Sequence, residues 1–161
     1  MALRTLVLTV SAAALADPSE DRAAPLLADA LEAAGLAVQR SVVAPEDAQT
    51  ALQRAVAEHD LVLTCGGSGM RPGDRLPQLV RSLGEDFSEV PGVMEQVRRL
   101  GAEKAPAALL SRGLAGVVEQ AGHRCFVLNA PSSRGGAKDV GAVLTGLLPD
   151  LERELLGAER H

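Results

Sequence analysis

The chain contains no Trp and no Tyr and only two Phe, Phe87 and Phe126, so its core must be aliphatic and stacking of bases on aromatic side chains is excluded. Lys and Arg number 16 against 21 Asp and Glu, a net charge of −5, which argues against general polyanion binding, since that rests on clustered positive charge, and leaves room for a small anionic ligand in a local pocket. There are two cysteines, Cys65 and Cys125, far apart and without a Cys-x-x-Cys pair, so neither a disulfide framework nor a zinc site is indicated and a reducing cytoplasm is the default expectation. No apolar run approaches the roughly 20 residues of a membrane-spanning helix. The opening Leu3–Val10 carries little basic charge and reads as a buried strand rather than a secretory signal.

What remains is 161 residues, 47% of them hydrophobic, a length that suits one domain over residues 1–161. The apolar period switches repeatedly between short β-like runs and helical stripes, the pattern of strand and helix units alternating around a mainly parallel sheet. Asp17-Pro18-Ser19-Glu20 offers a helix start, Leu26, Leu27, Ala30, Leu31 and Ala34 one helical face, and Gly35 a stop. Leu36–Val43 alternates like a strand, and Ala48, Ala51, Leu52, Ala55 and Val56 mark a second helix. Asp60–Thr64 is a third strand. From Leu76 to Leu114 the pattern predicts broken helix punctuated by Pro91 and Pro106. Leu114–Val118 and Arg124–Leu128 read as strands joined in a hairpin, and Val140, Val143, Leu144, Leu147, Leu148, Leu151 and Leu155 as one face of a single closing helix.

Two loops directly follow strands, where open α/β sheets bind ligands. Cys65–Pro77 contains Gly66-Gly67-Ser68-Gly69, whose small residues allow backbone N–H groups to approach a phosphate or pterin. It matches neither the P-loop nor the dinucleotide pattern, since no Gly-Lys-Ser/Thr follows and Pro72 stands where a third Gly belongs. Asp74 either caps the helix that follows or holds a metal beside the loop, because Mg²⁺ takes one or two carboxylates together with phosphate oxygens. In the second loop, Pro131, Ser132 and Ser133 precede the last helix, where a serine either caps the helix or joins its N-terminus in holding an anion. His59, His123 and His161 lack ligand-spaced companions and read as surface or turn residues; both cysteines read as buried at strand ends.

In order along the chain, Leu8-Thr-Val-Ser11, Asp60-Leu-Val-Leu-Thr-Cys-Gly-Gly-Ser-Gly69 with Pro72 and Asp74, Glu103-Lys104 with Pro106 and Leu110-Ser-Arg112, and Val127-Leu-Asn129 with Pro131 and Ser133 resemble the segments of the MoaB/Mog family of molybdenum cofactor biosynthesis proteins. The resemblance covers nearly the whole chain. It implies a three-layer α/β/α fold that binds molybdopterin, an oligomer such as a homo-trimer or hexamer, and Mg²⁺-dependent transfer of AMP from ATP to the pterin's phosphate with release of pyrophosphate. Carried over by position, Gly66, Gly67, Ser68 and Gly69 cradle a phosphate, Asp74 and Glu46 converge on the Mg²⁺, and Ser11, Pro131, Ser132 and Ser133 contact ligand. Departures from the family pattern fall at Ala12, Ala23, Ala24, Leu76, Gln78 and Arg134, with Cys65, Ser68 and Glu46 as milder changes. They keep open an alternative, a paralogue that retains the pocket and has lost the chemistry.

Overall fold

The computed structural model describes residues 3–157. Six strands form one sheet in the order β2-β1-β3-β6-β5-β4. The strands are β1 (Thr5–Val10), β2 (Val38–Val43), β3 (Leu61–Cys65), β4 (Asp86–Glu89), β5 (Ala115–Gln120) and β6 (His123–Ala130). β1 pairs in parallel with β2 and β3, and β3 with β6, while β5 runs antiparallel to both β6 and β4. Among the described residues seven α-helices flank them: α1 (Ala12–Ala16), α2 (Ala23–Ala33), α3 (Ala48–Glu58), α4 (Leu76–Arg81), α5 (Pro91–Lys104), α6 (Arg134–Thr145) and α7 (Leu148–Leu156).

Alternation along the strands sorts the apolar side chains into two layers. Val7, Leu61, Leu63, Phe126 and Leu128 pack with Leu27 and Leu31 of α2, Met94 of α5, Val140 and Leu144 of α6 and Leu148 of α7. Leu6, Leu8, Val62, Cys125 and Val127 face the other way, onto Leu52 and Val56 of α3 and Val80 of α4. β1 and β3 are buried along their whole length, which is why they read as continuous apolar runs. The result is a three-layer α/β/α fold with a mainly parallel sheet, and no helix among the described residues is long and apolar enough to cross a membrane.

Four expectations need correction. The Asp17 cap serves only a short 3₁₀ turn, Pro18–Glu20. The chain then breaks at Asp21, whose buried carboxylate accepts from Thr9 Oγ1 (3.0 Å) and Arg40 Nη2 (3.2 Å), and α2 starts at Ala23. The region read as broken helix includes β4, a polar edge strand in which only Phe87 is half-buried; its pairing comes from β5, a partner that no local pattern reveals. The closing helix is two helices, because α6 ends at Gly146 and Pro149 stands in the first turn of α7, although all seven apolar positions still face one core. His59 is not a surface residue: its Nδ1 faces Ala55 O at 3.0 Å and its Nε2 faces Gln39 Oε1 at 2.8 Å. His161 lies outside the described residues. The predicted stop at Gly35 is present, with φ of 98° and Leu36 N donating to Leu31 O, and the hairpin turns through Ala121 and Gly122, both at positive φ.

Candidate functional site

The carboxyl ends of β1, β3 and β6 lie side by side, and the loop after β3 forms the middle of the site. Gly66 and Gly67 have φ of 98° and 68°, a left-handed backbone that L side chains rarely adopt. A Cβ at Gly66 would stand 2.5 Å from Val10 O, and one at Gly67 would stand 2.6 Å from Leu76 Cδ2. Only glycine lets the loop lie this close to β1 and α4.

The loop's carbonyls are held from one side. Leu76 N donates to Gly67 O (3.1 Å) and Arg112 N to Ser68 O (2.8 Å). The Arg112 guanidinium donates to Gly69 O at 2.7 Å, to Asp74 O, and to Gln78 Oε1 at 3.4 Å. A trans peptide points its N–H opposite to its C=O, so the N–H groups of Ser68, Gly69 and Met70 face away from these donors. That is the orientation an anion-binding loop requires.

Asp74 does not cap α4. The residue before that helix is Arg75, which makes no capping bond, and Asp74 Oδ2 accepts instead from Arg71 N at 3.1 Å. The half-buried carboxylate folds back over the loop, where a Cβ at Gly69 would come within 2.8 Å of Oδ2. Glu46 sits exposed in the 3₁₀ turn Pro45–Asp47 ahead of α3. Asp74 and Glu46 line one cleft of about 410 Å³ together with Val10 and Gly67. Among the described residues no cluster of three or more side chains could hold a metal alone. Two hard-oxygen carboxylates nevertheless suit Mg²⁺, which commonly completes its shell with substrate phosphates and water.

On the opposite side of the loop a second cavity, of about 460 Å³, is lined by Ser68, Gly69, Pro131, Ser132 and Ser133. Its deeper wall is built by α5, the following 3₁₀ turn and α6 and includes Met94, Val97, Ala108 and Asp139. Ser133 caps α6, its hydroxyl accepting from Gly136 N at 3.0 Å, so the capping role weighed for it is present; its hydroxyl proton remains for another acceptor. A smaller cavity of about 210 Å³ joins Ser11, Gly66, Gly67 and Ser132. Ser11 spends its hydroxyl as acceptor on Ala14 N (3.1 Å), capping α1.

The predicted residues therefore divide between the two sides of one glycine loop: Glu46 and Asp74 on the α3–α4 side, Pro131, Ser132 and Ser133 on the α5–α6 side. Sequence reading missed Arg112 as the residue that holds the loop, and it missed Asp139. Arg112 was in view only within a motif whose spacing gives no role. Of the departing positions, Ala23, Ala24 and Leu76 are buried core, while Ala12, Gln78 and Arg134 are exposed. Cys65 is buried, and burial pushes its thiol up to about 12, so at neutral pH it is a protonated, poorly nucleophilic group.

Comparison with known proteins agrees with this architecture. Residues 6–152 match the family described as "Probable molybdopterin binding domain". The chain is 35% identical over 157 residues to the molybdenum cofactor biosynthesis bifunctional protein of Synechococcus elongatus, covering 95% of this chain and 47% of that protein. It spans less than half the length of the curated relatives it matches. Among solved structures it is similar to the molybdopterin biosynthesis Mog protein of Mycobacterium ulcerans, with a TM-score of 0.85, 31% identity and 98% and 99% of the two chains covered. The molybdopterin biosynthesis enzyme MoaB of Thermus thermophilus superposes with a TM-score of 0.78 at 32% identity, over 97% and 98% of the two chains. With matching sequence along nearly its full length and the same fold, the chain belongs to the MoaB/Mog family of molybdopterin-binding domains.

Proposed function

We propose that this chain acts in molybdenum cofactor biosynthesis, binding molybdopterin and transferring AMP to it from MgATP. The observation that carries the reading is the pair of carboxylates, Glu46 and Asp74, in a cleft on one side of a glycine loop whose other side holds a cavity ending at the capped N-terminus of α6. A phosphate oxygen of the pterin attacks the α-phosphorus of ATP, the bond from that phosphorus to the bridging oxygen breaks, and pyrophosphate leaves with the bond's electron pair. Mg²⁺, when bound, neutralises charge on the phosphates and orients them.

The protein's own contribution is positioning, which suffices for most of the acceleration in such transfers. The first-turn N–H groups of α6 and the Ser133 hydroxyl receive the pterin phosphate. The N–H groups of Ser68, Gly69 and Met70 line the path between the two sides, and Arg112 keeps them so turned. Asp74 and Glu46 hold the metal that serves the nucleotide. The reading further places the protein in the cytoplasm as a homo-trimer or hexamer; sedimentation as a monomer alone would remove the oligomer.

The test is pyrophosphate release from MgATP with and without molybdopterin, beside direct molybdopterin binding to the same preparation. Release that depends on the pterin is the expected result. The second reading, a binding paralogue without turnover, is favoured by Ala23 and Leu76, which line the two smaller cavities with side chains that carry no polar group. Tight molybdopterin binding with no pyrophosphate would select it.

A further inference from the structure

The cavity beside α5 and α6 is lined by three ionisable groups that the transfer reaction does not use, Arg98, Lys104 and Asp139. Asp139 lies on α6 and is 6% exposed, yet its carboxylate borders the cavity. Oδ1 accepts from Lys104 Nζ at 2.9 Å, whereas among the described residues Oδ2 has no donor from the protein. Gly101 stands opposite: a Cβ there would make ordinary contact with Oδ2 at 3.6 Å but would clash with Ala108 Cβ at 2.7 Å, so the glycine lets α5 and the following 3₁₀ turn pack closely beside the carboxylate. The other cation deep in this wall, Arg98, is committed to Gly113 O (2.8 Å) and Ser111 O (3.4 Å). Met94, Val97 and Ala108 supply apolar surface around the acceptor.

A buried carboxylate with a free oxygen between apolar walls suits a flat heterocycle that presents two adjacent N–H donors, because a carboxylate accepts such a pair in parallel. A hydrogen-bond donor edge is also what a desolvated carboxylate needs to offset its burial. Asp139 lies six residues after Ser133 on the same helix, about 9 Å along its axis at 1.5 Å per residue. That separation lets one elongated molecule carry a phosphate at the N-terminus of α6 and a donor edge at Asp139.

We propose that Asp139 is the residue that reads the 2-amino-4-oxo-pyrimidine edge of the pterin, with Lys104 fixing the carboxylate in place. The assignment rests on the pterin reading above and adds to it which end of the ligand lies deep. Guanine carries the same donor edge, so the shared chemistry is the 2-amino-4-oxo ring, and the binding comparison below separates the two. Adenine, with a donor beside an acceptor, does not pair with a carboxylate in this way, which leaves the nucleotide to the Glu46 and Asp74 side.

The absence of Trp and Tyr makes the test direct, since pterin fluorescence can be followed without overlap from the protein. Binding of pterin, of lumazine (its 2-oxo analogue) and of GMP is measured on the full chain and on Asp139→Asn, and molybdopterin binding is measured on both proteins. The wild type binds pterin at least about tenfold more tightly than lumazine, since a carbonyl facing the carboxylate leaves both unpaired. Asp139→Asn, which has the same shape and still accepts from Lys104, brings that ratio to within about twofold. Lys104→Gln keeps the preference for pterin. A wild-type ratio near one overturns the proposal without recourse to any variant, and so does an Asp139→Asn protein that discriminates as the wild type does. Stronger binding of GMP than of molybdopterin, which also carries a phosphate, overturns it in favour of a purine. In each of these cases molybdopterin still bound by the wild type leaves the functional reading standing, whereas loss of molybdopterin binding from the wild type itself removes both.

Discussion

The two ends of the sheet treat their carboxylates in opposite ways. At the amino end, Asp60 is almost wholly buried just before β3 and is surrounded by its own chain: Arg4 donates from its backbone N (2.8 Å), Nε (3.2 Å) and Nη2 (3.0 Å), and His123 Nε2 lies 3.9 Å away. At the carboxyl end, Asp74 receives one backbone N–H and Asp139 one ammonium, while Glu46 projects to solvent. A carboxylate that already accepts three bonds has little left for a ligand. The sparsely partnered carboxylates occur where glycine loops and cavities open, so the site is marked by incomplete pairing rather than by charge alone.

The sharpest way to break this contrast is Asp74→Asn. The amide oxygen still accepts from Arg71 N, so the fold is kept while the charge proposed to hold Mg²⁺ is lost. Turnover is expected to fall by about 100- to 1,000-fold, as when one group stabilising transition-state charge is removed, with the thermal midpoint unchanged. A matching fall in the midpoint would mean that Asp74, like Asp60, serves the fold.

Next in size is the same experiment at the other end. Arg4→Met leaves the Asp60 carboxylate buried with only backbone and His123 contacts and is expected to cost about 3 kcal/mol of stability, measured by denaturant unfolding, without lowering turnover per folded molecule. Burial pushes the Asp60 carboxyl up, but the hydrogen bonds and charge of Arg4 outweigh it and hold the carboxyl below the usual aspartate range. A lowered folded-state value stabilises the protein above the ordinary aspartate value and ceases to do so as pH falls through the folded-state value. The wild type should therefore lose thermal stability as the pH drops below about 4, and Arg4→Met should lose less over the same interval. Parallel pH profiles for the two proteins would show that Asp60 does not carry the acid sensitivity.

The same contrast explains what could be read from the sequence. β1, β3 and β6 were legible because burial on both faces leaves continuous apolar runs, and the glycine loop because Gly66, Gly67 and Gly69 crowd together directly after a strand. Asp74 and Glu46 were legible as candidates, but only the fold shows that Asp74 accepts from Arg71 N rather than capping α4 and that the two carboxylates line one cleft. β4 was hidden because its pairing with β5 is long-range and its side chains are polar. Asp139 was hidden because an Asp among Lys138 and Val140 looks like any solvated turn of a helix; its burial depends on α5 folding across it and on Gly101 leaving room. Arg112 was hidden likewise, because all its partners but Gln78 Oε1 are backbone carbonyls on the loop after β3, which carry no sequence signal.

The smallest expected effect is also the one that probes both roles of a single residue. Ser133 accepts from Gly136 N to cap α6 and borders the cavity proposed to receive the phosphate. Ser133→Ala removes the cap and should cost about 1 kcal/mol of stability, a typical figure for such a substitution. If the hydroxyl also donates to the anion, molybdopterin affinity falls about three- to tenfold beyond any effect of unfolding, equivalent to one ordinary hydrogen bond. Ser133→Gly separates the two contributions: glycine caps nearly as well as serine, losing only a few tenths of a kcal/mol, but offers no hydroxyl. Affinity reduced equally in both variants, with stability lost only in the alanine, assigns the hydroxyl to the ligand. Affinity that follows stability instead leaves Ser133 a cap alone and assigns the anion to the backbone of α6.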